Sequence, residues 1–204
     1  MQPHTPLPAT EDDSLVHKLG QIGRILRLIG WSGIVTQLGL GIAAGVLLLF
    51  AIAGRNFNNA ISSQENNTAG TTPGLGIATF WAVCAIAVLL YTAFLAFRQL
   101  LFARRLRHAN HDRHPKKSDV IQVLKLGILA GFIGMAFSIL GGGSALGVLL
   151  SKSISQPQGV AIYDPTRIIR PLDVFLAMAN MITMTAHFLG TIASVATVNW
   201  LHRQ

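Results

Sequence analysis

The chain has 204 residues, of which 51% are apolar and only 12% charged, with a formal net charge of +8 and a single cysteine. Soluble domains carry about a quarter charged residues, so this composition argues against a water-soluble globule. One cysteine excludes an intrachain disulfide and any cysteine-built metal cluster, and the basic balance comes with no nucleic-acid-reading motif.

Residues Met1 to Ser14 carry Glu11, Asp12 and Asp13 and no Lys or Arg. They lack the basic and apolar regions of a signal peptide and the Arg-rich character of an organelle transit peptide, so the expectation is a bacterial or already mature chain. From Ser14 to Ile29, Leu15, Leu19, Ile22, Leu26 and Ile29 recur at helical spacing opposite Lys18, Arg24 and Arg27. This predicts either an amphipathic helix on the inner leaflet within a cytoplasmic tail, 1–27, or a cytosolic extension of the first span.

Four apolar segments follow: Leu28 to Ala53, Leu75 to Phe97, Leu126 to Ser151 and Val174 to Leu201, none with an Asp, Glu, Lys or Arg. Each reaches the roughly 20 residues needed to cross a bilayer core. Together they predict a four-helix membrane domain over 28–201, with a basic loop at 98–125 and a short C-terminus at 202–204. Trp31, Trp81 and Trp200 sit near predicted span ends, where an indole keeps its N–H close to the headgroups.

Orientation follows from Lys and Arg in the short loops. Eight cations lie between Arg98 and Lys125; with Lys18, Arg24, Arg27 and Arg203 they make twelve on one side, against four (Arg55, Lys152, Arg167, Arg170) on the other. The expected fold is therefore all-α and polytopic, two in-out-in hairpins with both termini cytoplasmic.

Spans one and three are rich in glycine. Gly41-x3-Gly45, Gly127-x3-Gly131 and Gly143-x3-Gly147 are the pairs expected to pack helices, because small residues let backbones approach in lipid. Leu38–Leu48 (LGLGIAAGVLL) and Leu140–Leu150 (LGGGSALGVLL) share eight of eleven positions, which suggests a parallel internal repeat. The triple glycine Gly141 to Gly143 fits close packing better than a broken, ion-binding helix.

Span four concentrates polar groups. Asp173, Asn180, His187 and Ser194 are spaced seven apart, with Thr183, Thr191 and Asn199 beside them, so on a helix they form one slowly drifting stripe. Such a stripe faces protein or a water-filled path. Two readings stand: hydrogen bonds that tie helices together, or a lane for a cation with His187 near mid-membrane and Asp173 at its outer mouth. Between spans two and three, His108, His111 and His114 beside Asp112 form an H-x2-H-x2-H pattern of metal-compatible ligands. On a continuous helix His108 and His114 point about 240° apart, and a basic linker touching anionic lipid is the simpler reading. No Walker loop, nucleophile elbow or H-E-x-x-H is present, and no enzyme or bound cofactor is expected.

Asp119-Val120, Leu124, Gly127-Ile128, Gly134-Met135, Leu172-Asp173-Val174-Phe175-Leu176 and His187-Phe188-Leu189-Gly190 resemble the family of the 21-kilodalton chloroplast inner-envelope translocon protein, also called the chloroplast permease, and its cyanobacterial relatives. The resemblance runs from about Leu26 to Leu201, and Arg104-Arg105-Leu106-Arg107 also looks like the family's. It implies a four-helix inner-membrane protein, in a cyanobacterial plasma or thylakoid membrane or a chloroplast inner envelope, for which two roles have been argued. One is a permease for iron or another divalent metal, and the other is a component of protein import. The expected partners are the lipid bilayer and either further copies of the chain or a larger membrane complex. Two functions therefore stand as expectations: a divalent-cation permease, or a non-transporting subunit, assembly factor or translocation component.

Overall fold

A computed structural model of the chain describes residues 9–64, 74–105, 117–155 and 169–203. They form four helices: α1 (Ala9–Gln64), α2 (Leu75–Arg105), α3 (Lys117–Ile154) and α4 (Pro171–His202). Helices are the only open-chain solution in hydrocarbon, because every backbone N–H and C=O is paired within the segment. Each helix contains a stretch long and apolar enough to span: Arg27–Asn56, Leu75–Leu101, Asp119–Ile154 and Pro171–Leu201. α1 runs without a break for 56 residues, roughly 84 Å at 1.5 Å per residue. Residues 14–29 join the first span without an intervening turn, which favours an extension of that span over a separate helix on the leaflet.

The helices run up-down-up-down. Arg55 near the end of α1 reaches Thr79 near the start of α2, Gly141 of α3 lies against Trp81 of α2, and Gly190 of α4 meets Gln37 of α1. Each helix packs on its two neighbours around the ring, and α2 also touches α4 across the short diagonal.

The outside of the bundle is apolar. Leu49, Phe50, Phe94, Phe132, Met181 and Phe188 are each more than half exposed, a surface that water would not tolerate on a monomer. With four spanning helices beneath that surface, this is an integral membrane protein whose outer partner is the lipid bilayer.

Inside, the contact surfaces recur every three or four residues, in a 4-3-4-3 run on α3. On α3 the buried residues include Gly127, Gly131, Gly134, Ser138, Gly141 and Ala145, and on α4 they include Asn180, Thr183, His187 and Thr191. Spacing of this kind lets neighbouring antiparallel helices pack along their length. Small residues on α3 form a trough, and the side chains of α4 sit in it.

The x3 glycine pairs behave unequally. Gly41 is tight against Leu89, and a Cβ at Gly127 would stand 3.5 Å from Ser194 Oγ, but Gly45, Gly143 and Gly147 meet no neighbour within 4 Å. The expectation that these three pack helices within the bundle is corrected. Gly143 and Gly147 lie on the outward face of α3, because the packed face follows the 127-131-134-138-141 seam. Gly143→Ala and Gly147→Ala are accordingly expected to cost no stability and to gain up to about 1 kcal/mol of helix propensity in a detergent-unfolding titration.

The apparent repeat also fails to extend to packing. Ala44 and Leu48 are buried on α1 while their counterparts Leu146 and Leu150 are exposed on α3, and exposed Ala43 corresponds to buried Ala145. Equivalent letters therefore face opposite environments, so the shared sequence does not make two equivalent halves.

Candidate functional site

The polar stripe of α4 faces the interior. Asp173, Asn180, Thr183, His187 and Thr191 are all buried, while Ser194 is half-buried and Asn199 exposed. Burial of this kind has to be compensated, because an unpaired polar group in hydrocarbon costs several kcal/mol.

Most of the compensation is local. Asn180 Nδ2 donates to Leu176 O at 2.9 Å, Thr183 Oγ1 to Ala179 O at 2.7 Å and Thr191 Oγ1 to His187 O at 2.8 Å. Thr197 Oγ1 does the same to Ala193 O at 2.7 Å. These are i−4 back-bonds within α4. The reading in which Asn180 and the threonines tie helices together by hydrogen bonds is corrected: once back-bonded, these side chains are compact knobs, and packing holds them against α3. His187 does cross between helices, with Nε2 3.1 Å from Ala85 O of α2. A ring nitrogen facing a carbonyl must carry the proton, so Nδ1 is left as the acceptor.

Three glycines make room for the stripe. A Cβ at Gly131 would collide with the Thr191 hydroxyl, one at Gly134 with the His187 ring, and one at Gly141 with Asn180 Oδ1. On the other side of α4, a Cβ at Gly190 would collide with the amide of Gln37 from α1. Gln37 is itself buried, and Gln37 Oε1, Asn180 Oδ1 and His187 Nδ1 are buried without a hydrogen-bond partner.

Asp173 is placed differently from the expectation. It is not an open outer mouth: Lys152 Nζ of α3 lies 2.5 Å from Asp173 Oδ2, with both side chains under a tenth exposed. The same oxygen accepts from Arg170 N at 3.3 Å, which caps the first turn of α4, where a negative charge also complements the helix dipole. Its charge is thus already spent. Arg55 is engaged at the same end of the bundle, donating to Thr79 Oγ1 at 2.9 Å and to Leu75 O at 3.4 Å.

A cavity of about 20 Å³ lies among all four helices, between His187 and the bundle end that carries the termini. His187 and Ser194 line it; Asn180 and Asp173 do not. The structure therefore gathers the lower part of the stripe around an open space and leaves the upper part packed. Among the described residues no group of three or more His, Cys, Asp or Glu is placed to hold a metal. His108, His111, Asp112 and His114 lie outside the described residues.

A family model described as "Protein of unknown function (DUF3611)" matches residues 16–202. The chain belongs to that family. This DUF3611 member is also 29% identical, over 187 residues, to "Protein TIC 21, chloroplastic" of Arabidopsis thaliana, a match covering 87% of this chain and 57% of the relative. The chain thus spans little more than half of that relative's length. No solved structure matches it. Every residue of the polar stripe and of the glycine trough falls inside the matched DUF3611 region, so the site belongs to the family segment rather than to an appended tail.

Sequence reasoning missed Gln37 and the fit of Gly134, Gly141 and Gly190 to particular side chains. A signal existed for Gln37, Gly134 and Gly141. Gln37 is the one amide in an otherwise apolar or small first span, and the 4-3-4-3 run of small residues on span three marks a face, which an x3 pair alone does not.

Proposed function

We propose that the chain is a non-transporting subunit of a membrane-protein assembly, of the protein-translocation class, in which the four-helix bundle acts as a rigid lipid-embedded body. One observation carries this reading: between His187 and Asp173 the stripe is seated directly on the glycine backbone of α3. A Cβ at Gly134 or Gly141 already overlaps His187 or Asn180, and Asp173 is neutralised by Lys152. A cation would need to displace this packing, whereas a static subunit profits from it. The similarity to Protein TIC 21 and the motif resemblance to the translocon family support the same reading.

The divalent-cation permease is the second reading, favoured by an imidazole inside the bundle with Nδ1 unpartnered. Reconstitution separates the two. Folded protein in sealed liposomes is expected to give Fe²⁺ and Mn²⁺ flux no greater than protein-free vesicles, and a stable partner protein is expected to co-purify in mild detergent. Flux that His187→Ala abolishes while the variant stays folded would overturn the subunit reading.

A further inference from the structure

Six polar side chains from three helices converge on the cavity: Gln37 of α1, Thr92 and Gln99 of α2, and His187, Thr191 and Ser194 of α4. An engineered void in an apolar core stays dry, but a polar one fills, and about 10–15 Å³ of such space is enough for one water. At about 20 Å³ this cavity has room for one or two.

Several acceptors around it lack a donor. Thr92 Oγ1 gives its proton to Leu89 O at 2.8 Å, and Thr191 Oγ1 gives its own to His187 O at 2.8 Å, so each has only lone pairs left. His187 Nε2 is engaged with Ala85 O, and His187 Nδ1 and Gln37 Oε1 are buried acceptors with no partner. Leaving a buried acceptor unpaired is costly. These four groups call for a donor, while the amides of Gln37 and Gln99 and the Ser194 hydroxyl bring donors of their own, a mixed lining that water serves in both directions. No carboxylate lines the space, so the strongest ligand type for a divalent oxygen-seeking cation is missing.

We propose that this cavity is a binding site for a small hydrogen-bond donor, water itself or an ammonium-sized cation, reached from the bundle end that bears the termini. Beyond it the path is blocked where the His187 ring is pressed into Gly134. The cavity is thus a one-sided vestibule: Ser194 and Thr191 belong to its wall, and Thr183, one turn past His187, lies on the far side of the block.

Accessibility to Ag⁺, a probe of about the right size, tests this in the full-length chain carrying Cys84→Ala and reconstituted in sealed vesicles. Ser194→Cys and Thr191→Cys are expected to lose later maleimide labelling, done after denaturation, when Ag⁺ is applied on the side of the termini. Neither should be protected from the opposite side, and Thr183→Cys should be protected from neither. Full labelling of both wall variants after Ag⁺ on either side, or protection of Thr183→Cys from both sides, would overturn the proposal. If Thr191→Cys does not fold, Ser194→Cys decides alone, since Ser194 is only half-buried. The two guests separate by unfolding midpoint at equal ionic strength. A saturable rise in ammonium chloride over sodium chloride, lost in Gln37→Leu, identifies the cation by linkage, and equal midpoints identify water.

Discussion

Gly134→Ala is expected to destabilise the bundle by about 2–3 kcal/mol, the upper range for overpacking a filled site, even though alanine is the better helix former by up to about 1 kcal/mol. The added carbon would collide with Cε1, Nε2 and Nδ1 of the His187 ring. The ring cannot simply swing aside, because Nε2 is held by Ala85 O on α2 and the residue is 1% exposed. His187→Ala removes the obstacle at the expense of a void and a lost bond across to α2. The double variant Gly134→Ala with His187→Ala is therefore expected to be more stable than the two single effects predict, by about 1–2 kcal/mol of coupling. A double-mutant cycle by unfolding in mixed micelles measures this directly. Additivity within about 0.3–0.5 kcal/mol would mean that glycine and imidazole do not share the space. The same cycle at Gly45, whose Cβ would meet nothing within 4 Å, supplies the control.

The membrane class and the four spans were legible because length and the absence of charge act locally, residue by residue. The inward phase of α4 was also legible: seven-residue spacing of Asp173, Asn180 and His187 leaves one helix face polar, and lipid forbids that face outside. What could not be read was which neighbour meets that face. Gly143-x3-Gly147 and Gly127-x3-Gly131 are indistinguishable as strings, and only the partner's position makes the second a seat and leaves the first open. Asp173 illustrates the same limit. As a lone acid at a span end it suggests a cation mouth; that Lys152, 21 positions earlier, lies beside it depends on where α3 ends and how α4 enters. The back-bonding of Thr183 and Thr191 was nearer to reach. A threonine inside a helix always has a carbonyl four residues back within range, so local satisfaction was the simpler expectation than bonds between helices.

At the opposite end of the bundle from the termini, Asp173→Ala is expected to cost about 3–5 kcal/mol, the penalty for breaking a buried ion pair on one side. Lys152 would keep its charge at a site where its side chain is only 8% exposed, and the cap that Asp173 Oδ2 supplies to Arg170 N would go with it. Asp173→Asn retains an oxygen for that cap but no charge, so it should fall between the wild type and Asp173→Ala. Replacing both partners with apolar residues, Lys152→Met with Asp173→Leu, removes the stranded charge and should restore most of the loss, since buried pairs often give way to apolar packing without penalty. This pattern distinguishes a structural clamp from a cation mouth. A clamp loses stability in either single variant and recovers it in the double, with any flux baseline unmoved. A mouth loses flux in Asp173→Asn with the unfolding midpoint intact, and the Lys152 change does not restore it. The 2.5 Å contact between Nζ and Oδ2 favours the clamp, because a carboxylate already bound to an ammonium has little attraction left for an arriving ion.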